Sequence, residues 1–276
     1  GQEGLELAYD EYLSGEDGAR EVVKDLFGNV VKQVQVTQVP KPGSDLRLTL
    51  DLRLQYIAYR ELKAAVAAHN AKAGAAVLLD ARNGDILALV NQPSYNPNNR
   101  ATLKAEHMRN RAIADLIEPG STMKPFTVAA ALESGQYRSS SQIDTSPGYI
   151  RVKRKAIRDH RNYGVLDITG IITKSSNVGV VKLAHHLGPE SIWSFFADAG
   201  VGETTVLGFP GEAVGRLPYP EQLDDLRLAT VSYGYGLSVT PLQLAQAYTT
   251  FTEQGCRLPV HLIMPEQRDG ECKRVM

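Results

Sequence analysis

Cysteine is scarce: Cys256 and Cys272 are the only two in 276 residues, too few for a disulfide-built scaffold and without the paired spacing of a zinc site. They read as two thiols, and a bridge across the short loop between them requires an oxidising compartment and Cβ atoms that meet. The histidines give no metal signature either. His185 and His186 are adjacent in a helical stretch and so point to different faces, and no H-E-x-x-H occurs. No metal or cofactor is expected. Excess charge is missing too: 30 basic and 31 acidic residues leave a formal net charge of −1, so no global field draws the chain to nucleic acid or to an anionic bilayer. No apolar run approaches the roughly 18–20 residues that cross a membrane. The chain opens on Gly1 with no signal peptide, which places any anchor or targeting segment upstream. What is present is 43% hydrophobic residues, over a length that buries one large core or two smaller ones.

Residues 30–39 (VVKQVQVTQV) alternate apolar and polar, the pattern of a half-buried strand, and Pro40, Pro42 and Gly43 then break it. From Thr49 the period changes. Leu52, Leu54, Ile57, Ala58 and Leu62 recur at helical spacing to about Ala68, behind Asp51 as N-cap. Two strands follow, Ala75 to Asp80 and Asp85 to Asn91, and Asn83-Gly84 between them signals a hairpin because both residues tolerate positive φ. A boundary near Gly43 divides 1–45 from 46–276. The stretch after Asn99 reads mainly as helices to about Tyr248. Within it the basic run Arg151 to Arg161 (RVKRKAIRDHR) reads as a solvated hairpin, with contact to an anionic polymer or a partner as the alternative.

Chemistry concentrates at Glu118 to Phe126 (EPGSTMKPF). Pro119-Gly120 ends what precedes, and the apolar run Phe126 to Leu132 predicts a buried helix that stops near Gly135. Ser121 thus falls at a helix N-terminus, where unpaired N–H groups and the positive end of the dipole favour an alkoxide. Lys124 is one turn on, within reach of the Ser121 hydroxyl, and burial that keeps its amine neutral makes it a general base. The spacing alone is weak: 15 serines and 12 lysines give roughly 0.65 chance matches to S-x-x-K, and a capping serine before a solvated lysine is the plain alternative.

A second cluster, Lys174-Ser175-Ser176-Asn177, falls between a short helix capped by Asp167 and a helix from about Val178 to Leu187 stopped by Gly188. Ser175 and Asn177 then occupy a tight turn from which side chains enter a cleft, though a polar connection explains them equally well. Ser94-Tyr95-Asn96 has the same S-x-N spacing but precedes Ser121 and is followed by Pro97, so it reads as an extended loop. Tyr235, in the run Tyr233 to Gly236, reads first as core packing, with an aromatic cleft wall as its functional alternative.

In their chain order these residues resemble the serine penicillin-recognising enzymes, whose motifs are S-x-x-K, S-x-N and K-T-G. Thr49 to Leu62, Asn91 to Arg100, Met108 to Phe126, Lys174 to Ala184 and Ser232 to Tyr248 are similar to the class B, monofunctional penicillin-binding proteins, nearest the septal transpeptidases. Gly4 to Leu13 is similar to the segment those proteins carry between their N-terminal module and the transpeptidase domain, which implies that 1–45 is the end of a non-catalytic module with its linker and 46–276 a partial transpeptidase domain. The resemblance implies an α/β fold of the α+β type, an antiparallel sheet flanked by helices. It implies Ser121 as acyl-accepting nucleophile, Lys124 as its base, Ser175 as proton relay, Asn177 as substrate-amide holder and Tyr235 as substrate contact. Substrates would be peptidoglycan stem peptides, with β-lactams as inhibitors. Partners would be a SEDS-type glycosyltransferase and other division proteins, on the extracytoplasmic side of the inner membrane. No K-T-G or K-S-G follows Asn177. The expectation is a truncated domain whose missing strands leave the hairpin edge and one face of the Phe126 to Leu132 helix exposed. A β-lactamase or β-lactam sensor shares the first two motifs but not the 1–45 segment. A non-catalytic division scaffold is the reading from another class, and K-T-G downstream of Met276 would exclude it.

Overall fold

A computed structural model describes all residues except 2, 100, 102, 253, 254 and 266–271. Arg100, the last residue of the family-like Asn91 to Arg100 segment, therefore lies outside the described residues. The chain divides into two compact units, 1–48 with 208–210, and 49–207 with 211–276.

The first unit holds two short helices, α1 (Gly4–Ala8) and α2 (Asp10–Leu13), and an antiparallel ribbon of β1 (Ala19–Lys24) and β2 (Val30–Gln38). The valine alternation does make β2 a strand, but not a half-buried one. Val30, Val31, Val34 and Val36 are all more than half exposed, because the ribbon has two strands and no layer against either face.

The second unit opens with α3 (Leu52–Ala68), whose N-cap Asp51 accepts from the amides of Arg53 and Leu54. The hairpin β3 (Gly74–Leu79) and β4 (Ile86–Gln92) follows. Its turn needs glycine at 84: φ is +77°, and a Cβ there would lie 1.8 Å from the Pro259 carbonyl oxygen. That approach lets a distant segment join the hairpin, with Ile86 N–H donating to His261 O (2.9 Å) and Thr49 N–H to Leu262 O (2.9 Å).

Two one-turn helices, α4 (Ala105–Met108) and α5 (Arg111–Ala114), lead to a 3-10 turn, Gly120–Met123, that runs straight into α6 (Lys124–Glu133). The expectation of a mainly helical stretch, with a hairpin at the basic run, understates the strands. Four short strands intervene, β5 (Gln142–Asp144), β6 (Tyr149–Val152), β7 (Lys155–Arg158) and β8 (Val165–Asp167), pairing β5 with β8 and β6 with β7. At three or four residues each they are too short to show a period. The basic run forms the β6–β7 hairpin. Helices α7 (Ile168–Thr173) and α8 (Asn177–Leu187) follow, with Asp167 and Ser176 as side-chain caps and Gly188 as stop. The rest is α9 (Pro189–Asp198), α10 (Asp225–Ser232), α11 (Pro241–Tyr248) and the strand pair β9 (Cys256–Arg257) with β10 (Lys273–Arg274).

The core centres on α6, and the expected exposed face of that helix is absent. Phe126 is fully buried, Val128 through Ala131 are at most 7% exposed, and only Leu132, at 38%, reaches solvent. Phe251, Tyr248 and Phe196 ring Phe126 at centroid distances of 4.8, 5.2 and 6.4 Å and cover it from within the chain. The cysteines are not free: Cys256 and Cys272 form a disulfide with Cα atoms 5.4 Å apart, which pins β10 to β9.

Candidate active site

The 3-10 turn before α6 is held from three sides. Gly120 N–H donates to Gly234 O (2.9 Å), Gly236 N–H to the Glu118 carboxylate (2.9 Å), and the Tyr248 hydroxyl to Thr122 O (2.7 Å). Gly234 (φ +85°) is obligatory for the first of these, since a Cβ there would lie 2.0 Å from Gly120 O. Ser121 lies in this turn with its side chain exposed, and its hydroxyl makes no hydrogen bond to the described residues. The sequence predicts a helix N-terminus at Ser121; the structure forms it as a 3-10 turn, and the α-helix starts at the lysine.

Lys124 is buried, 3% exposed, and its ammonium donates to Ser175 O (2.5 Å) and Ser175 Oγ (2.9 Å). Burial pulls its pKa down from 10.5 to about 8, and the nearby Asp159 carboxylate opposes that fall. A substantial neutral fraction near pH 8 is what a base for a serine hydroxyl requires. The structure thus joins Lys124 to Ser175 directly, with Ser121 one 3-10 turn upstream. Ser175 itself sits at φ +52°, an unusual conformation for a side chain larger than glycine, at the turn between α7 and α8.

That turn is clamped by a residue the sequence reading passed over. Asp159, just after β7, accepts from Ser176 Oγ (2.7 Å), Asn177 N–H (2.6 Å) and Val178 N–H (3.0 Å). It adds a carboxylate to the N-terminus of α8, where the dipole favours one. Ser176 Oγ in turn accepts from Gly179 N–H (2.9 Å). Asn177 Nδ2 donates to Arg158 O (2.8 Å), so the β6–β7 hairpin is tied to the turn at consecutive residues. In the sequence Asp159 is one acid inside a basic run, and only the fold shows which turn it serves.

Tyr235 is not a core residue. It is 49% exposed, packs edge-on against Tyr233 (5.7 Å between centroids), and carries its hydroxyl above Gly120, where a Cβ would meet it at 3.7 Å. Its neighbour Tyr233 takes the interior position, and burial raises that phenol's pKa. An exposed serine, a buried lysine of lowered pKa, a second serine bonded to it and an aromatic ring beside the first serine's turn suit acyl transfer through a serine ester.

Comparison with known proteins agrees in kind. The family described as "Penicillin binding protein transpeptidase domain" matches residues 74–273, and the "Penicillin-binding Protein dimerisation domain" matches residues 1–48. The chain is 48% identical over 262 residues to the "Probable peptidoglycan D,D-transpeptidase PenA" of Neisseria flavescens, covering 94% of this chain and 65% of that one. It is 43% identical over 262 residues to the "Peptidoglycan D,D-transpeptidase FtsI" of Escherichia coli, covering 95% and 44%. The chain thus spans about half to two thirds of the length of these relatives. The apo structure of the TP domain from Burkholderia pseudomallei penicillin-binding protein 3 superposes with a TM-score of 0.76 at 38% identity, over 85% of this chain and 67% of that one.

Proposed function

Because the chain belongs to the penicillin-binding protein transpeptidase family, we propose that the protein carrying it is a D,D-transpeptidase that cross-links peptidoglycan stem peptides during septal wall synthesis. Ser121 Oγ attacks the carbonyl of the penultimate D-Ala while Lys124 takes its proton. The ester forms, the bond to the terminal D-Ala breaks, and the proton passes by way of Ser175 to the departing amine. An amine from a neighbouring stem peptide then attacks the ester, making the cross-link and returning Ser121. The Ser121 N–H is one oxyanion donor, Asn177 holds the substrate amide, and Tyr235 walls the cleft. A β-lactam follows the first step and stays attached.

The observation that carries this reading is Lys124, buried beside Ser175 with a pKa lowered to about 8. A capping serine followed by a surface lysine would leave that amine solvated. Residues 1–45 are then the end of a non-catalytic module with its linker, and 46–276 part of the transpeptidase domain. The protein works outside the cytoplasm, on a membrane anchor, beside a SEDS-type glycosyltransferase and other division proteins; the Cys256–Cys272 bridge supports an oxidising compartment. The test is labelled penicillin on the full-length protein with peptide mass mapping. The label is expected on Ser121 and absent from Ser121→Ala; undiminished labelling of that variant would overturn the assignment.

A further inference from the structure

The β6–β7 hairpin is the most strongly charged feature of the chain. Residues 151–161 hold six basic side chains and one acidic one, in a protein of net charge −1. The acidic one, Asp159, is consumed at the N-terminus of α8. Among the described residues only Lys153 has an ion-pair partner, Asp224 at 2.9 Å.

Strand alternation sorts the rest. Val152 and Ile157 point inward, 4% and 8% exposed, and pack with Val181 of α8 and Ala229 of α10. Tyr149 pairs with Arg158 and Arg151 with Ala156, so both arginines share the opposite, outward face, with Arg154 in the turn at the tip. All three are exposed, and Arg158 lies over the Tyr149 ring at 5.1 Å. The packed inner face makes this a rigid platform. Its far end is bonded to the Ser175–Asn177 turn through Arg158 O and Asp159.

We propose that this outward face, Arg151, Arg154 and Arg158, binds the carboxylates of the incoming stem peptide that supplies the amine. The inference rests on the transpeptidase reading above and names a specificity surface for its second half-reaction. Guanidinium groups bind carboxylates in a planar fork, and a cationic platform tied to the S-x-N turn raises the local concentration of an acidic peptide beside the ester. The amine-bearing stem is such a peptide.

The experiment uses the full-length protein and two acceptors: the γ-D-glutamyl-diaminopimelate dipeptide with free carboxylates, and the same dipeptide with its carboxylates amidated. Exposed ion pairs are worth roughly two- to fivefold each, so three give about a tenfold lower KM for the free acid at low salt. The expected KM ratio, amidated over free, is about ten in the parent. It should fall towards one as ionic strength rises, and to about one in the triple variant R151Q/R154Q/R158Q. A triple R→K variant at the same positions should keep most of the ratio, which separates loss of charge from loss of the fold. A parent ratio near one, or a ratio that survives neutralisation of all three, overturns the proposal. Failure of Ser121 to take up labelled penicillin in the parent would instead sink the transpeptidase reading, and this inference with it.

Discussion

The β1–β2 ribbon and the α6 region are both rich in small apolar residues, yet they end in opposite environments. Four valines of β2 stand more than half exposed, whereas α6 hides Phe126 completely behind Phe196, Tyr248 and Phe251. Apolar periodicity sets the type of element. Burial depends on what covers it, and that cover comes from residues 70 to 125 positions further along the chain for α6 and from none of the described residues for the ribbon. Lys124 lies where the covering is complete, and a lysine amine drops its pKa only in a place that water leaves.

The largest expected effect tests that cover directly. Phe126→Ala should cost about 3–5 kcal/mol in a denaturant melt of the second unit, from lost transfer energy and an unfilled cavity. The matching change in the ribbon, Val34→Thr, should stay within about 0.5 kcal/mol. Comparable losses at both sites would mean that the ribbon is packed in solution.

Next comes Lys124→Arg, which retains the charge but cannot deprotonate near neutral pH. Acylation by penicillin should fall by at least about 10²-fold with the melt little changed, and a parental rate would remove Lys124 as the base. In the unaltered protein the acylation rate should rise with pH, with a midpoint near 8, because the neutral amine is the active form. Stability should move the same way. The folded pKa lies below the unfolded value of about 10.4, so the unfolded chain binds more protons between about 8 and 10, and stability increases with pH across that window.

A smaller effect is expected of Asp159→Asn. Asn keeps an acceptor for the turn but not the charge that raises the lysine's pKa, so the midpoint of the acylation profile should shift to lower pH. The maximal rate should drop by about tenfold, as Ser176 and Asn177 lose an ionic anchor and the turn that carries Ser175 loosens. An unmoved midpoint would show that Asp159 only caps α8.

Much of this was legible in the sequence because it is local. Asp51 and Asp167 as caps, Gly188 as a stop, Asn83-Gly84 as a hairpin turn and the lysine one turn after Ser121 all depend on neighbours within a few residues. What escaped was non-local or too short. β5 and β8 are three residues each and lie about twenty positions apart, Asp159 acts on a turn 17 residues away, and the cysteines meet only because β9 and β10 pair. Tyr233 and Tyr235 have the same side chain two positions apart, and only the fold shows that Tyr233 packs inward while Tyr235 is exposed over Gly120.

The seam at Thr49 bears on how the protein folds. Its hydroxyl donates to the carbonyls of Ile86 and His261, each at 2.8 Å, and the second lies 212 positions away. A chain emerging from its N-terminus can form α3 and pair β3 with β4 early, since those contacts are local, but it must hold that seam open until residue 261 arrives. Closure of so long a loop is slow relative to hairpin formation, so the assembling domain passes through a state in which an unpaired strand end waits for its partner. The hazard to this protein is thus greatest before it is finished, and a chaperone that shields the start of β4 until residue 261 is available would act on a site where waiting is built into the topology.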